Sequence, residues 1–206
     1  IISSRIEVML MEAESQNLPE EVRADLNVLH RNAQRVARIA QSLLSFARQS
    51  PGGRAPVDVN RVVEETLLLV DQQMSKEGIR VSTRLDPALP PLLGDANALQ
   101  QVVLNLLTNA REAMDGGEIR IETGIAPGRP GSIRLVVTDT GPGIPPDLLP
   151  KIFDPFFTTK AEGTGLGLSV SYGIVREHQG TVDVQSEPGK GTTFILTFPA
   201  LPGGAA

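Results

Sequence analysis

The sequence has no cysteine and no tryptophan, and only 3% of its 206 residues are aromatic. Without cysteine the chain forms no disulfide, no thiol nucleophile and no zinc–thiolate site. Its six phenylalanines and one tyrosine are too few to build the platform of exposed rings on which single-stranded nucleic acids stack. The formal net charge of −5 also disfavours binding to a phosphate backbone. We therefore expect no nucleic-acid partner.

Long apolar stretches are missing as well. No uninterrupted run approaches the roughly 20 apolar residues that a membrane-spanning helix needs, and the N-terminus does not have the pattern of a signal peptide. Hydrophobic residues make up 40% of the chain and charged residues 21%, a ratio typical of globular proteins. The composition therefore predicts a folded, acidic protein with no membrane contact of its own.

Glycine is absent from residues 1–48, where Pro19 is the only proline, whereas all 20 glycines come later. This change in composition predicts a linker near residues 48–53. Before the linker, apolar residues recur at helical spacing, and from Leu26 to Ala47 they alternate in steps of 3 and 4. We predict an antiparallel helical hairpin over residues 1–50 that pairs with a second copy into a four-helix bundle. An isolated coiled-coil arm is the alternative.

Residues 54–199 combine helical and strand periods. Helices are predicted over 60–75, 95–114 and 164–178, and strands near 81–85, 119–123, 133–137, 182–184 and 194–198. This order predicts an α+β fold, a two-layer α/β sandwich with helices on one face of a mixed sheet. Residues 200–206 are expected to form a frayed tail.

The predicted helix over residues 95–114 has a polar side opposite its apolar face. On that side Gln101, Asn105, Asn109 and Glu112 follow one another at steps of 4, 4 and 3. Asparagine is a poor helix former, because its side chain competes with the backbone for hydrogen bonds. A solvated surface is one interpretation of this side. An array of oxygen ligands for a hard cation such as Mg²⁺ is the other.

Two glycine-rich stretches follow. Asp139, Gly141, Gly143 and Ile144 come directly after a predicted strand. The carboxylate there forms either an ordinary Asx turn or an acceptor, in a crevice, for an amine such as that of adenine. The second stretch, residues 163–168, leads into a helix. Its free N–H groups and the positive end of the helix dipole suit an anion such as phosphate.

Between the two stretches lie about twenty residues with little periodicity, a length typical of functional lids or of disordered loops. Three of the seven aromatic rings, those of Phe153, Phe156 and Phe157, fall within five residues of this segment. These rings either anchor a lid, with Lys160 reaching a phosphate, or form a buried cluster beneath an ordinary loop.

Together these motifs resemble the four boxes of bacterial sensor histidine kinases, in the same order. Residues 105–113 resemble the N box, 139–144 the G1 box, 153–157 the F box and 163–168 the G2 box. The resemblance covers residues 54–199 as an ATP-binding catalytic domain. It extends over residues 1–48 as the later part of the dimerisation and phosphotransfer hairpin. It implies the Bergerat-type ATP-binding fold shared with gyrase B, Hsp90 and MutL.

The resemblance also implies ATP and Mg²⁺ as cofactors. Asp139 would read the adenine amine, with Thr193 nearby through water, while Asn109 and Asn105 would hold Mg²⁺ against the phosphates. Gyrase-type relatives carry a hydrolytic Glu at the position of Asn105, so that the Asn fits a kinase. The implied nucleotide contacts are Asn105, Asn109, Asp139, Gly141, Gly143, Ile144, Phe156, Lys160, Gly163, Thr164, Gly165, Leu166, Gly167, Leu168 and Thr193.

The function that the resemblance implies is transfer of the ATP γ-phosphoryl group to a histidine on the dimerisation helix, for relay to a response-regulator aspartate. It implies a cytoplasmic homodimer, whether or not a parent protein is anchored to a membrane. We expect the acceptor histidine upstream of Ile1, because His30 and His178 do not match its motif and are interpreted as structural. Glu112 receives no role. The alternatives are a nucleotide-gated binding module without transfer and an ATPase of the gyrase type.

Overall fold

The computed structural model describes residues 2–15, 19–47, 54–160 and 163–201. Within these ranges a helical hairpin precedes a mixed α/β domain. The helices are α1 (Ile2–Ser15), α2 (Glu20–Ala47), α3 (Val59–Lys76), α4 (Ala96–Ala113) and α5 (Gly167–Glu177). The strands are β1 (Ala55–Val57), β2 (Ile79–Arg84), β3 (Leu92–Gly94), β4 (Gly117–Ile125), β5 (Ser132–Asp139), β6 (Thr181–Glu187) and β7 (Gly191–Pro199).

Five strands form one mixed sheet in the order β2-β4-β5-β7-β6. The β2–β4 pair is parallel and the other neighbours are antiparallel. β1 and β3 form a separate antiparallel pair. The sequence pattern did not predict that pair, because three residues are too few to show an alternation.

The core lies between one face of the five-stranded sheet and the helices α3, α4 and α5. Ile119 and Ile121 of β4 are fully buried, whereas Arg120 between them is exposed, as expected for a sheet with one covered face. Leu107 of α4 and Val63 of α3 are buried against that face. The predicted two-layer α+β sandwich is confirmed.

Two aspartates begin the helices of this layer. The Asp58 carboxylate accepts hydrogen bonds from the backbone N–H groups of Asn60 and Arg61 at the start of α3. Asp95 caps α4 in the same way. A short polar side chain at this position satisfies N–H groups that have no partner inside the helix. Both helices therefore lie within two residues of their predicted bounds.

The predicted start of α5 at Thr164 is wrong, because the helix begins at Gly167. Gly165 has a backbone φ of +66°, which a right-handed helix does not contain. Its carbonyl oxygen instead accepts a hydrogen bond from the Phe156 N–H at 2.9 Å. The second glycine-rich stretch is therefore a loop tied to the segment before it, and not a first helical turn.

The two N-terminal helices pack as an antiparallel hairpin. Ile6 of α1 and Leu26 of α2 are buried, and the His30 imidazole lies 3.3 Å from the Glu7 carboxylate. The predicted linker and the hairpin turn at residues 16–18 lie outside the described residues, as do tail residues 202–206. Ala200 and Leu201 are not frayed, because their N–H groups donate to Gly131 and Pro91 carbonyls at 2.8 Å. Across the described ranges, no helix has both the length and the apolar character to cross a bilayer.

Candidate nucleotide site

A cavity of about 880 Å³ opens between α4, the loop after β5, residues 145–160 and 163–165, and the start of α5. Its volume lies within the roughly 300–1,000 Å³ of typical small-molecule sites. Eleven residues of the predicted set line it: Asn105, Asn109, Asp139, Gly143, Ile144, Lys160, Gly163, Thr164, Gly165, Gly167 and Leu168. Gly141, Phe156, Leu166 and Thr193 are not among its lining residues.

Asp139 ends β5 with its carboxylate inside the protein, only 7% exposed. Its Oδ1 accepts hydrogen bonds from the N–H groups of Gly141 at 2.8 Å and Thr192 at 3.2 Å. Burial raises the pKa of this carboxyl, and the two backbone hydrogen bonds oppose that rise. Within the described residues Oδ2 has no hydrogen-bond donor, so this oxygen is available to a ligand in the cavity. Gly141 therefore holds Asp139 without facing the cavity itself.

Thr193 points away from Asp139. The strand register pairs Asp139 with Thr192 and Thr138 with Thr193, and successive side chains on a strand face opposite sides of the sheet. The Thr138 and Thr193 hydroxyls lie 3.1 Å apart on the other face, whereas Thr192 lines the cavity. The structure thus places Thr192, and not Thr193, next to the Asp139 carboxylate, and the contact of Thr193 with the nucleotide stays a prediction.

The polar side of α4 faces the cavity and also contacts α5. The Asn105 side chain donates from Nδ2 to the Gly167 carbonyl and to the Ser171 hydroxyl, both at 3.1 Å. Its oxygen Oδ1 has no donor within the described residues. Asn109 lies one turn further along and also lines the cavity. Both asparagines therefore line the cavity, and Ser171 is a supporting residue that the sequence pattern did not single out.

The start of α5 has free backbone donors. Leu166 stands at the N-cap position, and no side-chain hydrogen bond caps the helix there. The first N–H groups of a helix have no partner inside it, and the helix dipole makes this end positive. Gly163, Thr164 and Gly167 line the cavity next to this end. The arrangement therefore suits an anionic group, as the glycines predicted.

The loop after β5 is held in place by the turn between β6 and β7. The Ile144 N–H donates to the Ser186 hydroxyl at 2.8 Å, and the Gly189 N–H donates to the Pro142 carbonyl at 2.7 Å. Gly143 has a φ of +73°, and a Cβ added there would meet the backbone of Glu187. Only glycine fits this position without strain.

The three clustered phenylalanine rings differ in their surroundings and in their exposure. Phe157 lines the cavity, and Phe153 packs against Tyr172 with ring centroids 5.2 Å apart. Phe156 is 64% exposed and has a φ of +68°. Phe153 and Phe157 both pack against the hydrophobic core, whereas Phe156 is exposed. The buried cluster therefore holds for two of the three rings, and the lid anchor stays a prediction.

Lys160 crosses from the segment after β5 to α4. Its Nζ donates to Glu112 Oε2 at 2.9 Å and to the Asn109 carbonyl at 3.4 Å. Glu112 also lines the cavity. The sequence pattern placed Glu112 on the polar side of α4 but gave no sign of this contact across 48 residues.

The two histidines make contacts of a structural kind. His178 is buried, its Nε2 accepts from the Asp95 N–H at 3.0 Å, and its Nδ1 lies 2.7 Å from the Ile174 carbonyl. It therefore joins the end of α5 to the start of α4. Among the residues that the structure describes, no group of three His, Asp or Glu side chains is placed to hold a metal.

Comparison with known proteins identifies the domain. The sequence model described as "Histidine kinase-, DNA gyrase B-, and HSP90-like ATPase" matches residues 94–202. Over 172 residues the chain is 38% identical to sensor histidine kinase ZraS of Escherichia coli K12, covering 84% of this chain and 37% of ZraS. Over 180 residues it is 41% identical to the signal transduction histidine-protein kinase AtoS of the same strain, covering 87% and 29%. The chain thus spans about a third of the length of these curated relatives.

A solved structure extends the similarity to the hairpin. The crystal structure of histidine kinase ThkA in complex with response regulator protein TrrA aligns over 97% of this chain and 57% of that chain. The alignment has a TM-score of 0.72 and 27% sequence identity. With the family model matching over half of its length, the chain belongs to the histidine kinase-, DNA gyrase B- and HSP90-like ATPase family, and its domain is of the bacterial sensor histidine kinase type.

Proposed function

We propose that this chain is the ATP-binding catalytic region of a sensor histidine kinase, which transfers the γ-phosphoryl group of ATP to a histidine on a dimerisation helix. One observation carries the proposal. A single cavity contains both a buried carboxylate with one free oxygen, that of Asp139, and an uncapped helix start at Gly167. The first suits the exocyclic amine of adenine and the second suits phosphates.

Three groups of cavity residues would contact three different parts of the nucleotide. Asp139 accepts the adenine amine through Oδ2, while Thr192, rather than Thr193, stands beside it. The apolar walls, which include Ile152 and Phe194, take up the faces of the ring. Thr164, Gly165, Gly167 and Leu168 surround the phosphates with backbone N–H groups, and Gly163, whose own N–H donates to the Lys160 carbonyl, lines the cavity beside them.

Mg²⁺ is the proposed metal, and the side chains present fit it. A hard cation prefers oxygen ligands and usually keeps several waters while it binds phosphates. Asn105 and Asn109 both line the cavity, and the Asn105 nitrogen is already engaged by Gly167 and Ser171. Their amide oxygens are therefore the proposed protein ligands. When bound, the ion would neutralise charge on the phosphates.

Transfer requires only positioning and charge neutralisation from this domain. A histidine imidazole nitrogen forms the new P–N bond, the bond between the γ-phosphorus and the β,γ-bridging oxygen breaks, and ADP leaves. A carboxylate at the position of Asn105 would be free to activate water, whereas the amide is no base and instead bonds to α5. This difference favours the kinase over an ATPase of the gyrase type.

Two partners belong to the proposal. A response-regulator receiver domain is the proposed acceptor of the phosphoryl group, supported by the similarity to ThkA, which was solved with TrrA. A second copy of this chain is the proposed dimer partner through α1 and α2. Both helices expose large apolar side chains, among them Met11, Leu29 and Val36. The proposed location is the cytoplasm.

A phosphotransfer assay tests the function. The chain is mixed with radiolabelled ATP, Mg²⁺ and a separate helical hairpin carrying a histidine followed by an acid. We expect acid-labile phosphate on the hairpin, and none when its histidine is replaced by alanine. Binding of ATP without transfer would support a nucleotide-gated module instead. Release of inorganic phosphate without the hairpin would support an ATPase.

A further inference from the structure

The ion pair between Lys160 and Glu112 joins the segment after β5 to α4 at the wall of the cavity. Its donor–acceptor distance is 2.9 Å, and each side chain is 35% exposed. Both residues line the cavity. The pair therefore lies where it meets any ligand that fills the space beside Asn109.

The Lys160 ammonium has one N–H donor that makes no hydrogen bond within the described residues. An ammonium group carries three N–H donors, of which one bonds to Glu112 and another to the Asn109 carbonyl at 3.4 Å. Within the described residues the third has no acceptor. Since the Nζ atom lies beside Asn109, a proposed ligand of Mg²⁺, this donor is available to the phosphates that the metal would bind.

The carboxylate is itself held from behind. Arg111 lies 3.9 Å from Glu112 and bonds to Glu77, the residue at the end of α3, at 3.2 Å. Charged side chains of alternating sign therefore extend from the end of α3 to the cavity, in the order Glu77, Arg111, Glu112 and Lys160. An unpaired carboxylate at this wall would repel phosphates, but the pair is neutral and leaves a directed N–H group.

We infer that Glu112 is a positioning residue, which holds the Lys160 ammonium against α4 so that its free donor meets the phosphate chain of the nucleotide. The inference rests on the proposed function, because it takes the ligand to be ATP. Without the carboxylate, the long Lys160 side chain is no longer held in one geometry. The entropy cost of ordering it then opposes nucleotide binding. Glu112 acts through Lys160 and does not itself touch the nucleotide.

The test compares nucleotides that differ only in their phosphates. Calorimetric titrations with ATP, ADP and adenosine in Mg²⁺ are run on the 206-residue chain and on Glu112→Ala, Glu112→Gln, Lys160→Ala and the Glu112→Ala/Lys160→Ala double variant. Each single variant is expected to weaken ATP binding about fivefold, as for the loss of one exposed to half-exposed charge contact. The affinity for adenosine should stay unchanged, and the double variant should bind ATP no more weakly than Lys160→Ala.

A matched control comes from α3. Glu65 forms an ion pair with Arg61 at 2.8 Å, and neither residue lines the cavity. Glu65→Ala should therefore leave the affinities for ATP, ADP and adenosine unchanged. Glu112→Gln keeps the shape of the side chain, so it decides the matter if Glu112→Ala does not fold.

The outcomes separate the two claims. ATP binding that is sensitive to Asp139→Asn but unchanged, or tighter, in Glu112→Gln would overturn the positioning role and leave the proposed function standing. Adenosine and ATP affinities that fall together in Glu112→Gln would also overturn it, because the role would then be structural. A wild-type chain that binds no ATP would instead overturn the proposed function.

Discussion

At the scale of single residues, the buried carboxylate of Asp139 is the feature that ties stability to binding. A charge taken out of water is unfavourable unless it is paired or hydrogen-bonded. Here two backbone N–H groups reach one oxygen, from Gly141 and Thr192, and the other oxygen has no donor within the described residues. The second oxygen is thus the one that can accept a hydrogen bond from a ligand.

Asp139→Asn should abolish ATP binding while the fold is retained. The amide oxygen can still accept from Gly141 and Thr192, which turns the amide nitrogen, a donor, toward the cavity. Two donors would then face each other where the adenine amine is proposed to bind. Calorimetric titration with ATP measures the loss. An unchanged affinity in a folded variant would exclude the adenine assignment.

The same residue predicts a pH dependence of stability. Burial raises the pKa of Asp139 above its ordinary value of 3.8, so that the native state binds more protons than the unfolded chain between the two values. Stability from this group is therefore present at low pH and is lost as the pH rises from about 3.8 through the raised native pKa.

Thermal unfolding of the ligand-free protein checks the sign. Asp139→Asn has no charge to form, so its melting temperature should exceed that of the wild type by a margin that grows across this pH window. A margin that is constant or shrinks with rising pH would contradict a raised pKa.

At the scale of elements, a backbone hydrogen bond joins two residues of the segment between β5 and α5. These are Phe156 and Gly165, and both have positive φ values, of +68° and +66°. Phenylalanine rarely adopts such a backbone, so the surrounding contacts hold it there. The segment therefore depends on glycine at position 165.

Gly165→Ala should lower the free energy of unfolding and open this segment. A side chain at a positive φ costs about 1–2 kcal/mol, and a Cβ at this position would meet the Phe156 backbone. Chemical denaturation measures the stability, and limited proteolysis after Lys151 or Lys160 measures the opening.

Gly173→Ala is the matched control in the following helix. Gly173 lies inside α5, and a Cβ there would meet no atom within 4 Å. Alanine favours a helix interior over glycine by about 0.5–1 kcal/mol, so this variant should be more stable. Equal effects of the two substitutions would contradict the role given to the Gly165 backbone.

The same element shows where sequence patterns stop being informative. The bounds of α3 and α4 were predicted from helical periodicity, and the caps that the structure shows at Asp58 and Asp95 act within the same few residues. The start of α5 was misplaced because the Gly165 carbonyl accepts its hydrogen bond from Phe156, nine residues earlier, and not from a residue of α5. Capping is a short-range interaction, and closure of a loop is not.

At the scale of the whole molecule, the hairpin carries the proposed dimer contact. Two helices bury little apolar area by themselves, and Val36 of α2 remains 64% exposed. Val36→Lys combined with Leu29→Lys should therefore shift the chain from dimer to monomer at micromolar concentration. Sedimentation velocity measures the shift.

Leu68→Lys is the control for that experiment. Leu68 is an even more exposed apolar residue, at 81%, on α3 of the mixed α/β domain. The Leu68→Lys substitution should leave the oligomeric state of the chain unchanged. A chain that is monomeric without any substitution, or a dimer that survives the hairpin substitutions, would contradict the proposed interface.

The sequence by itself determined the fold class, the bounds of α3 and α4 to within two residues and the polar side of α4, because periodicity acts over a few residues. The anion site at residues 163–168 stays a prediction from the same kind of local pattern, since glycines before a helix leave N–H groups free. Tertiary structure alone decided that Thr192 and not Thr193 lies beside Asp139, through the pairing of β5 with β7. It likewise decided that Glu112 holds Lys160. Strand register and long-range ion pairs depend on how distant segments pack, and no local pattern encodes that.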